Sequence, residues 1–537
     1  MAKDLRLVAL VLVLLVIAVL SRSLSQQWSP LPYNVDGLSE VRVADAISTT
    51  GHFTFQGSAS YAQGYVSDMP VLGLVISFVT SSLGLQAVDS AQLITALLGS
   101  VAVLLVLAIF ERYWRSSTRA SFSTVLVLAL IGSFVFSAGC TWKETLGFLL
   151  MMLALYSFHL RSKLPYGFVL VSSLALLPFT HHQATVVGFI IITFAILIEY
   201  ASKPRHLWPK DMWFYDGLLL VSIWFIAIFY YIRIRLPYLD YLSPKTDLYL
   251  YLAVALLLFV VCVRLSRKNQ SLSRLPLSLA VPAVGALFMA YNFVHPVFIG
   301  TSAPALAAMV PFMAYLILVV PAWTGVQLAF ARMGEAKNLV LAMFFGPLSL
   351  IMFAFLRGLD TTSYTVIYRT FDFLMPAFAV FIGLGFAALV KGKERLGMLA
   401  GVSLVVVLAS TLPVAYSSQQ LFGVENQTYW YEYDAFQWMS GHGIAKVTSD
   451  QRLSDTGWRL FDIGAAQGLP FDLKEGISLQ KGQFYVLEDQ WSTDGAQQFP
   501  LGVVVVSHQT VASTLQSSDV VYVGGSPGGQ LTGFYAN

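Results

Sequence analysis

Apolar residues fill long runs along this chain, and most charged residues sit in the breaks between them. Runs of near-spanning length fall at about 5–20, 91–110, 121–138, 145–160, 166–180, 184–200, 214–232, 248–263, 277–294, 304–323, 338–356, 371–390 and 396–416. A helix needs about 20 largely apolar residues to cross a bilayer. The pattern therefore predicts about thirteen transmembrane helices. A shorter run, MPVLGLVISFVTSSL at 69–83, opens on Met-Pro and carries several Ser and Thr. The first run lacks a clean small-x-small site after it and reads as an anchor, not a removable signal.

Charge decides whether 69–83 crosses. If it does not, one side of the membrane receives 19 of the 32 Lys and Arg, the other receives eight, and five follow residue 416. If it does, ERYWRSSTR and every later basic loop move to the outer side, against the positive-inside rule. Residues 69–83 are therefore predicted as a horizontal or re-entrant outer segment. The N-terminus is then cytoplasmic, and the tail from about 417 is extracytoplasmic. Two parts are expected. Residues 1–416 form a transmembrane domain whose outer loop, 21–90, carries amphipathic helices. Residues 417–537 form a small mixed α/β domain, with strand-like runs GQFYVLED, LGVVVVSH and SDVVYVGG and a helix in WYEYDAFQWMS.

Composition closes off other classes. The chain of 537 residues is 57% hydrophobic and 11% charged, with mean hydropathy +0.69, which excludes a soluble globular protein. There is no CxxC, HExxH or Walker-type loop, so zinc-protease and nucleotide-motor readings lack support. Cys140 and Cys262 lie in or beside apolar segments and read as packing residues. No nucleic-acid partner is expected.

Against so little charge, the acids of YNVDGLSEVRVADA stand out. Asp36 and Glu40 are four apart, so a helix would set both on one face. They read either as solvated loop acids or as ligands for a hard divalent cation such as Mg²⁺ or Mn²⁺. GCTWKETLG adds Glu144, with Lys143 beside it as a salt-bridge partner or cavity residue. PFTHHQAT adds His181 and His182, as helix-end caps or interfacial polar residues, or else His181 as an acceptor-site or cavity residue and His182 as a metal ligand or hydrogen-bond donor in the same cavity. Arg357 and Arg369 bound one outer loop. Arg369 either pairs with Asp372 or anchors the interface, or else it grips a phosphate with its fork of donors. A further outer loop carries Arg233, Arg235 and Lys245. All these groups fall on the outer face.

The layout resembles the GT-C superfold of integral-membrane glycosyltransferases, such as oligosaccharyltransferase catalytic subunits, protein O-mannosyltransferases and aminoarabinose transferases. Four stretches carry the resemblance: YNVDGLSE, MPVLGLVISF, TWKETLGFLLMMLALY and YRTFDFLMPAFAVFIGLG. THHQAT looks most like archaeal or bacterial members. The resemblance implies that Asp36 is the catalytic residue, that Glu144 helps bind metal or acceptor, and that Arg369 holds the donor phosphate. Glu40 joins Asp36 as a candidate catalytic acid, and Arg357 joins Arg369. The chain departs from the oligosaccharyltransferase WWDYG signature, offering only YWYEYDAFQW at 429–438, which reads as an amphipathic helix. Asn426-Gln427-Thr428 is itself a sequon.

The expected activity is transfer of a sugar from a polyprenyl-phosphate donor to a protein, lipid or glycan acceptor on the outer face, with inversion and Asp36 as base. A divalent metal is compatible with the acids. Two alternatives remain at this point. A transporter or flippase for a lipid-linked glycan would place ionisable residues mid-membrane, where this chain has few. A non-catalytic assembly subunit would need neither Asp36 nor Glu144.

Overall fold

The computed structural model describes residues 2–53, 67–114, 118–203, 208, 212–236, 245–267, 275–299, 305–333, 336–392, 394–416, 426–498, 502–526 and 529–537. Most of the 233–245 loop expected on the outer face lies outside them, as does the start of the expected C-terminal domain.

Helices follow the apolar runs in order. They are α1 Ala2–Arg22, α2 Val35–Thr50, α3 Val71–Leu83, α4 Ala87–Trp114, α5 Thr118–Leu130, α6 Gly132–Ser137, α7 Lys143–Phe158, α8 Leu164–Leu176, α9 His182–Ser202, α10 Met212–Arg233, α11 Thr246–Arg267, α12 Leu275–Val294, α13 Met309–Arg332, α14 Lys337–Arg357, α15 Thr361–Leu389 and α16 Glu394–Ala409. Among the described residues, eight helices are long and apolar enough to cross a membrane, and five more are apolar but shorter. This is a polytopic α-helical membrane protein. Large apolar side chains such as Phe225, Phe229, Leu256 and Val402 are exposed on it. In water such a surface would be untenable; in lipid it is the expected one.

The long α15 packs along α13, α14 and α5. Gly385 permits the α13 crossing, since a Cβ there would run into the Pro321 carbonyl oxygen. Membrane helices have no hydrophobic drive toward one another, so close backbone approach of this kind does much of the holding.

The run at 121–138 is not one helix. It breaks at Ile131, which is extended, between α5 and α6. The break is satisfied from two sides. Gly132 donates its N–H to Thr411 Oγ1 at 2.8 Å. The buried Arg22 donates to the Leu128 carbonyl at 3.0 Å. That carbonyl belongs to the negative end of α5, where a cation is stabilised.

The chain after residue 426 has its own apolar core, including Phe436, Leu453, Val486, Trp491 and Phe534. Its elements are α17 Trp430–Gly441, β1 Lys446–Ser449, α18 Gln451–Phe461, β2 Gly464–Gln467, α19 Leu469–Glu475, β3 Phe484–Glu488, β4 Ala496–Gln498, β5 Gly502–Val504, α20 His508–Gln516, β6 Ser518–Ser526 and β7 Gly529–Ala536. Strand order is β2-β1-β3-β7-β6, with β4 and β5 forming a separate ribbon. β1 lies parallel to β2 and β3, while β7 runs antiparallel to β3 and β6. Two neighbouring parallel strands need a crossover, and α18 is the crossover between β1 and β2. It packs against α2, and this contact shapes the site.

The expected strands in GQFYVLED and SDVVYVGG are β3 and β6. LGVVVVSH yields only the short β5. β1, β2 and β7 carried too few consecutive β-branched residues to be expected.

Candidate functional site

Asp36 is set by the start of α2. Asn34 caps that helix, its side-chain oxygen accepting the Asp36 N–H at 2.9 Å. The Asn34 amide in turn donates to Asn426 Oδ1 at 2.9 Å. The sequon asparagine is thus part of the joint between the start of α2 and the C-terminal region.

The Asp36 carboxylate faces two guanidinium groups. Arg459 Nη1, from α18, lies 3.0 Å from Oδ1. Arg369 Nη2, from α15, lies 3.7 Å from Oδ2. Residues more than 300 positions apart therefore meet at one carboxylate. The Asp36 side chain is still 33% exposed, so an incoming group can reach it. Burial acts to raise its pKa. The positive charges of Arg459, Arg369 and Lys143 outweigh that and hold it below the ordinary carboxylate value.

One turn further, Glu40 is buried and its Oε1 lies 3.5 Å from Lys143 Nζ. Lys143 thus has Glu40 as a partner, not the adjacent Glu144 that its sequence position suggested. Burial dominates at Glu40 and pushes its pKa up to about 7 despite Lys143.

Glu144, in the first turn of α7, is buried, and neither of its carboxylate oxygens has a hydrogen-bond partner. It lies within electrostatic range of Asp36, Arg369 and Asp372. Asp372 is also buried, one turn along α15 from Arg369. Asp36 and Glu144 thus share one neighbourhood.

What joins the two acid-bearing loops is Gln92, near the start of α4. Its Oε1 accepts from the Tyr33 N–H at 3.0 Å and from Thr141 Oγ1 at 2.9 Å, and its Nε2 donates to the Gly139 carbonyl at 2.7 Å. Gly37 completes the contact. A Cβ there would sit 2.5 Å from the Thr141 carbonyl oxygen and 2.8 Å from Thr141 Cβ. Only glycine lets α2 come this close. We expect Gly37→Ala to destabilise the protein by about 1–3 kcal/mol through overpacking and to impair the site by shifting Asp36 relative to Arg369 and Arg459. Thermal unfolding and an activity assay check this. Unchanged values in both would show that the contact does not set the spacing.

The Arg369 guanidinium is held over the Trp142 and Tyr368 rings, each 5.7 Å away. Its Nε donates to the Tyr368 hydroxyl at 2.9 Å. Stacking and a fixed donor make its direction well defined. Thr370, next on α15, accepts from Gln183 Nε2 at 2.7 Å, which ties α9 to this helix. His181 caps α9, its Nδ1 accepting the Ala184 N–H at 3.2 Å. His182 is buried beside it, with ring centroids 4.8 Å apart.

Arg357 stands apart. Its guanidinium is tied to Asp247 at 3.3 Å and to Asp360 at 2.9 Å. Asp360 caps α15, and nine residues of helix, about 13 Å, separate it from Arg369.

A metal at Asp36, Glu144 and His182 meets a poor fit. Among the described residues no three His, Cys, Asp or Glu side chains converge as ligands. Both Asp36 oxygens already face guanidinium groups. Of these three, Glu144 has two carboxylate oxygens without a hydrogen-bond partner.

Sequence reading missed Arg459 and Gln92. Arg459 lies in a polar, amphipathic helix of the tail, where an arginine is unremarkable. Gln92 opens a membrane helix, and a buried glutamine there was the one available signal.

The bundle, with the region after residue 426 packed against α2, has the GT-C fold. Two solved structures of the archaeal oligosaccharyltransferase AglB from Archaeoglobus fulgidus share it. One, in complex with an inhibitory peptide and a dolichol-phosphate, is 12% identical, with TM-score 0.53, covering 91% of this chain and 70% of that one. The other, in the apo form, is 13% identical, with TM-score 0.52, covering 99% and 74%. The mycobacterial arabinofuranosyltransferase AftD aligns over 98% of this chain and 40% of that one, with 13% identity and TM-score 0.47. Neither a family model nor a curated protein sequence matches the chain.

Proposed function

We propose that this chain is an integral-membrane glycosyltransferase that moves a sugar from a polyprenyl-phosphate donor to a hydroxyl acceptor on the extracytoplasmic face. The observation that carries this reading is Asp36: an ionised, partly exposed carboxylate between two guanidinium groups at the mouth of an apolar bundle. The GT-C fold supports it, and so does the dolichol-phosphate in one AglB complex. The N-terminus lies in the cytoplasm, and the outer loop 21–90 and the region 417–537 lie outside. Residues 1–416 grip the lipid tail, and the tail region closes over the reacting groups.

Nucleotide sugars are cytoplasmic, so outward-facing chemistry needs a donor held in the membrane. Arg369 binds the donor phosphate. Asp36 takes the proton of the acceptor hydroxyl. The acceptor oxygen bonds to the anomeric carbon as the carbon–oxygen bond to phosphate breaks, and polyprenyl phosphate leaves with the electron pair. One displacement inverts the anomeric centre. Glu144 orients the acceptor through its free oxygens. A divalent ion does not fit around Asp36, and no step uses one.

The test is to offer the purified full chain a panel of polyprenyl-phosphoryl sugars and measure released polyprenyl phosphate, with the anomeric configuration of the product read by NMR. Release with inversion is expected for at least one donor. Retention would remove the single displacement. Vectorial movement of intact donor across vesicles without release would make the chain a transporter.

A further inference from the structure

Arg459 reaches Asp36 from the opposite end of the chain, and its placement is built rather than incidental. The crossover helix α18 lies along α2, and two ion pairs fix the match. Asp36 meets Arg459 at 3.0 Å, and Arg42 meets Asp462 at 3.4 Å. The pairs have opposite polarity, so sliding one helix past the other would set like charges together. Asp455, one turn before Arg459 on α18, faces it at 3.9 Å. The guanidinium is thus aimed at Asp36 by its own helix and by the helix it packs on. Arg459 and Arg369 together cover both oxygens that a cation ligated by Asp36 would need.

We propose that Arg459 takes the place of a divalent cation at this site: with Arg369 it grips the donor phosphate, and sugar transfer does not depend on a metal. This rests on the lipid-phosphate reading above. As the bond from the anomeric carbon to phosphate breaks, the leaving phosphate gains negative charge. A second guanidinium, already beside the site, neutralises that charge once the donor is seated. The same contact couples binding to base strength. When the phosphate draws Arg459 and Arg369 toward itself, Asp36 loses the charges that hold its proton affinity down. It becomes a better base only when the donor is seated.

Binding of undecaprenyl phosphate to the full-length protein in nanodiscs, in EDTA and in excess Mn²⁺, tests this. The wild type should bind equally in both, within about twofold, and manganese EPR should show no stoichiometric site. Arg459→Ala should bind about tenfold or more weakly in EDTA, with Arg459→Lys in between. A melting curve establishes that each variant is folded. Wild-type binding that requires Mn²⁺ would overturn the proposal while leaving the lipid donor intact. A folded Arg459→Ala that binds like the wild type in EDTA would do the same. No binding under either condition would remove both the proposal and the lipid-donor reading. The comparison of EDTA with Mn²⁺ on the wild type holds even if every variant fails to fold.

Discussion

Asp36→Asn lowers the rate of transfer by about 10²–10⁴-fold, the usual contribution of a positioned general base, and leaves the protein folded. Asparagine keeps the shape. The cap bond from Asn34 goes to the backbone N–H of residue 36 and survives the change. What disappears is the negative charge and the proton acceptor. Arg369 and Arg459 then lose a counter-charge and face an anionic donor more freely, so KM for the donor should hold or fall while kcat collapses. That split distinguishes a lost base from a lost binding contact. The pH profile adds a second check. Asp36 has its pKa depressed in the folded protein, so its ionised form is present above the ordinary carboxylate value and is lost only on acidification below it. Its stabilising pairs with the two arginines follow the same sign. In the kcat/KM profile, which reports the free enzyme, Asp36 therefore should not produce an acid limb near neutrality. Glu40 and Glu144, each raised to about 7 by burial, are the groups that would. If a limb near pH 7 appears, Glu40→Gln or Glu144→Gln should erase it. A limb near pH 7 that persists in both variants would put the titration elsewhere. Full activity of Asp36→Asn would remove the mechanism.

Much of this site was legible because charge is rare in the chain. In a sequence with 11% charged residues, Asp36, Glu144 and Arg369 are visible as acids and a base at the ends of apolar runs, and the positive-inside rule puts them on one face. The structure brings them into one neighbourhood. The apolar runs likewise became helices in order. Three things could not be read. The break at Ile131 depends on Thr411 and Arg22 satisfying it from elsewhere in the chain, which periodicity does not record. Arg357 and Arg369 looked equivalent as the two ends of a loop, yet Asp247 engages one and Asp36 the other. The role of Arg459 is a matter of how a βαβ crossover docks on a distant helix, and local sequence says nothing of that.

The C-terminal region can deliver Arg459 only while it is folded, and a buried charge cluster governs that. Arg452 on α18 donates to Glu488 Oε2 at 2.9 Å, to Glu432 Oε1, and to the Gln427 carbonyl at 3.1 Å. Tyr431 donates its hydroxyl to Glu488 Oε1 at 2.6 Å. All four charged or phenolic side chains are buried. Arg452→Met should therefore destabilise the region by about 3–5 kcal/mol, because it leaves two carboxylates buried without their cation. That is a large share of a domain's total, about 5–15 kcal/mol. Gln427 follows Asn426, which accepts from Asn34 at the cap of α2, so the loss should spread to the joint with α2 and lower transfer as well. Neutralising the whole cluster, with Arg452→Met, Glu432→Gln and Glu488→Gln together, should recover most of the stability, since no uncompensated charge stays inside. It should recover activity in step, because Arg459 lies two turns further along α18 and makes none of these bonds. Urea-dependent hydrogen exchange at the backbone amides of β3, which lies in this core, reads the stability of the region. If Arg452→Met costs under about 1 kcal/mol, the cluster is not what holds α18. If the triple variant is stable and still inactive, the cluster acts on the reaction itself and not through the fold.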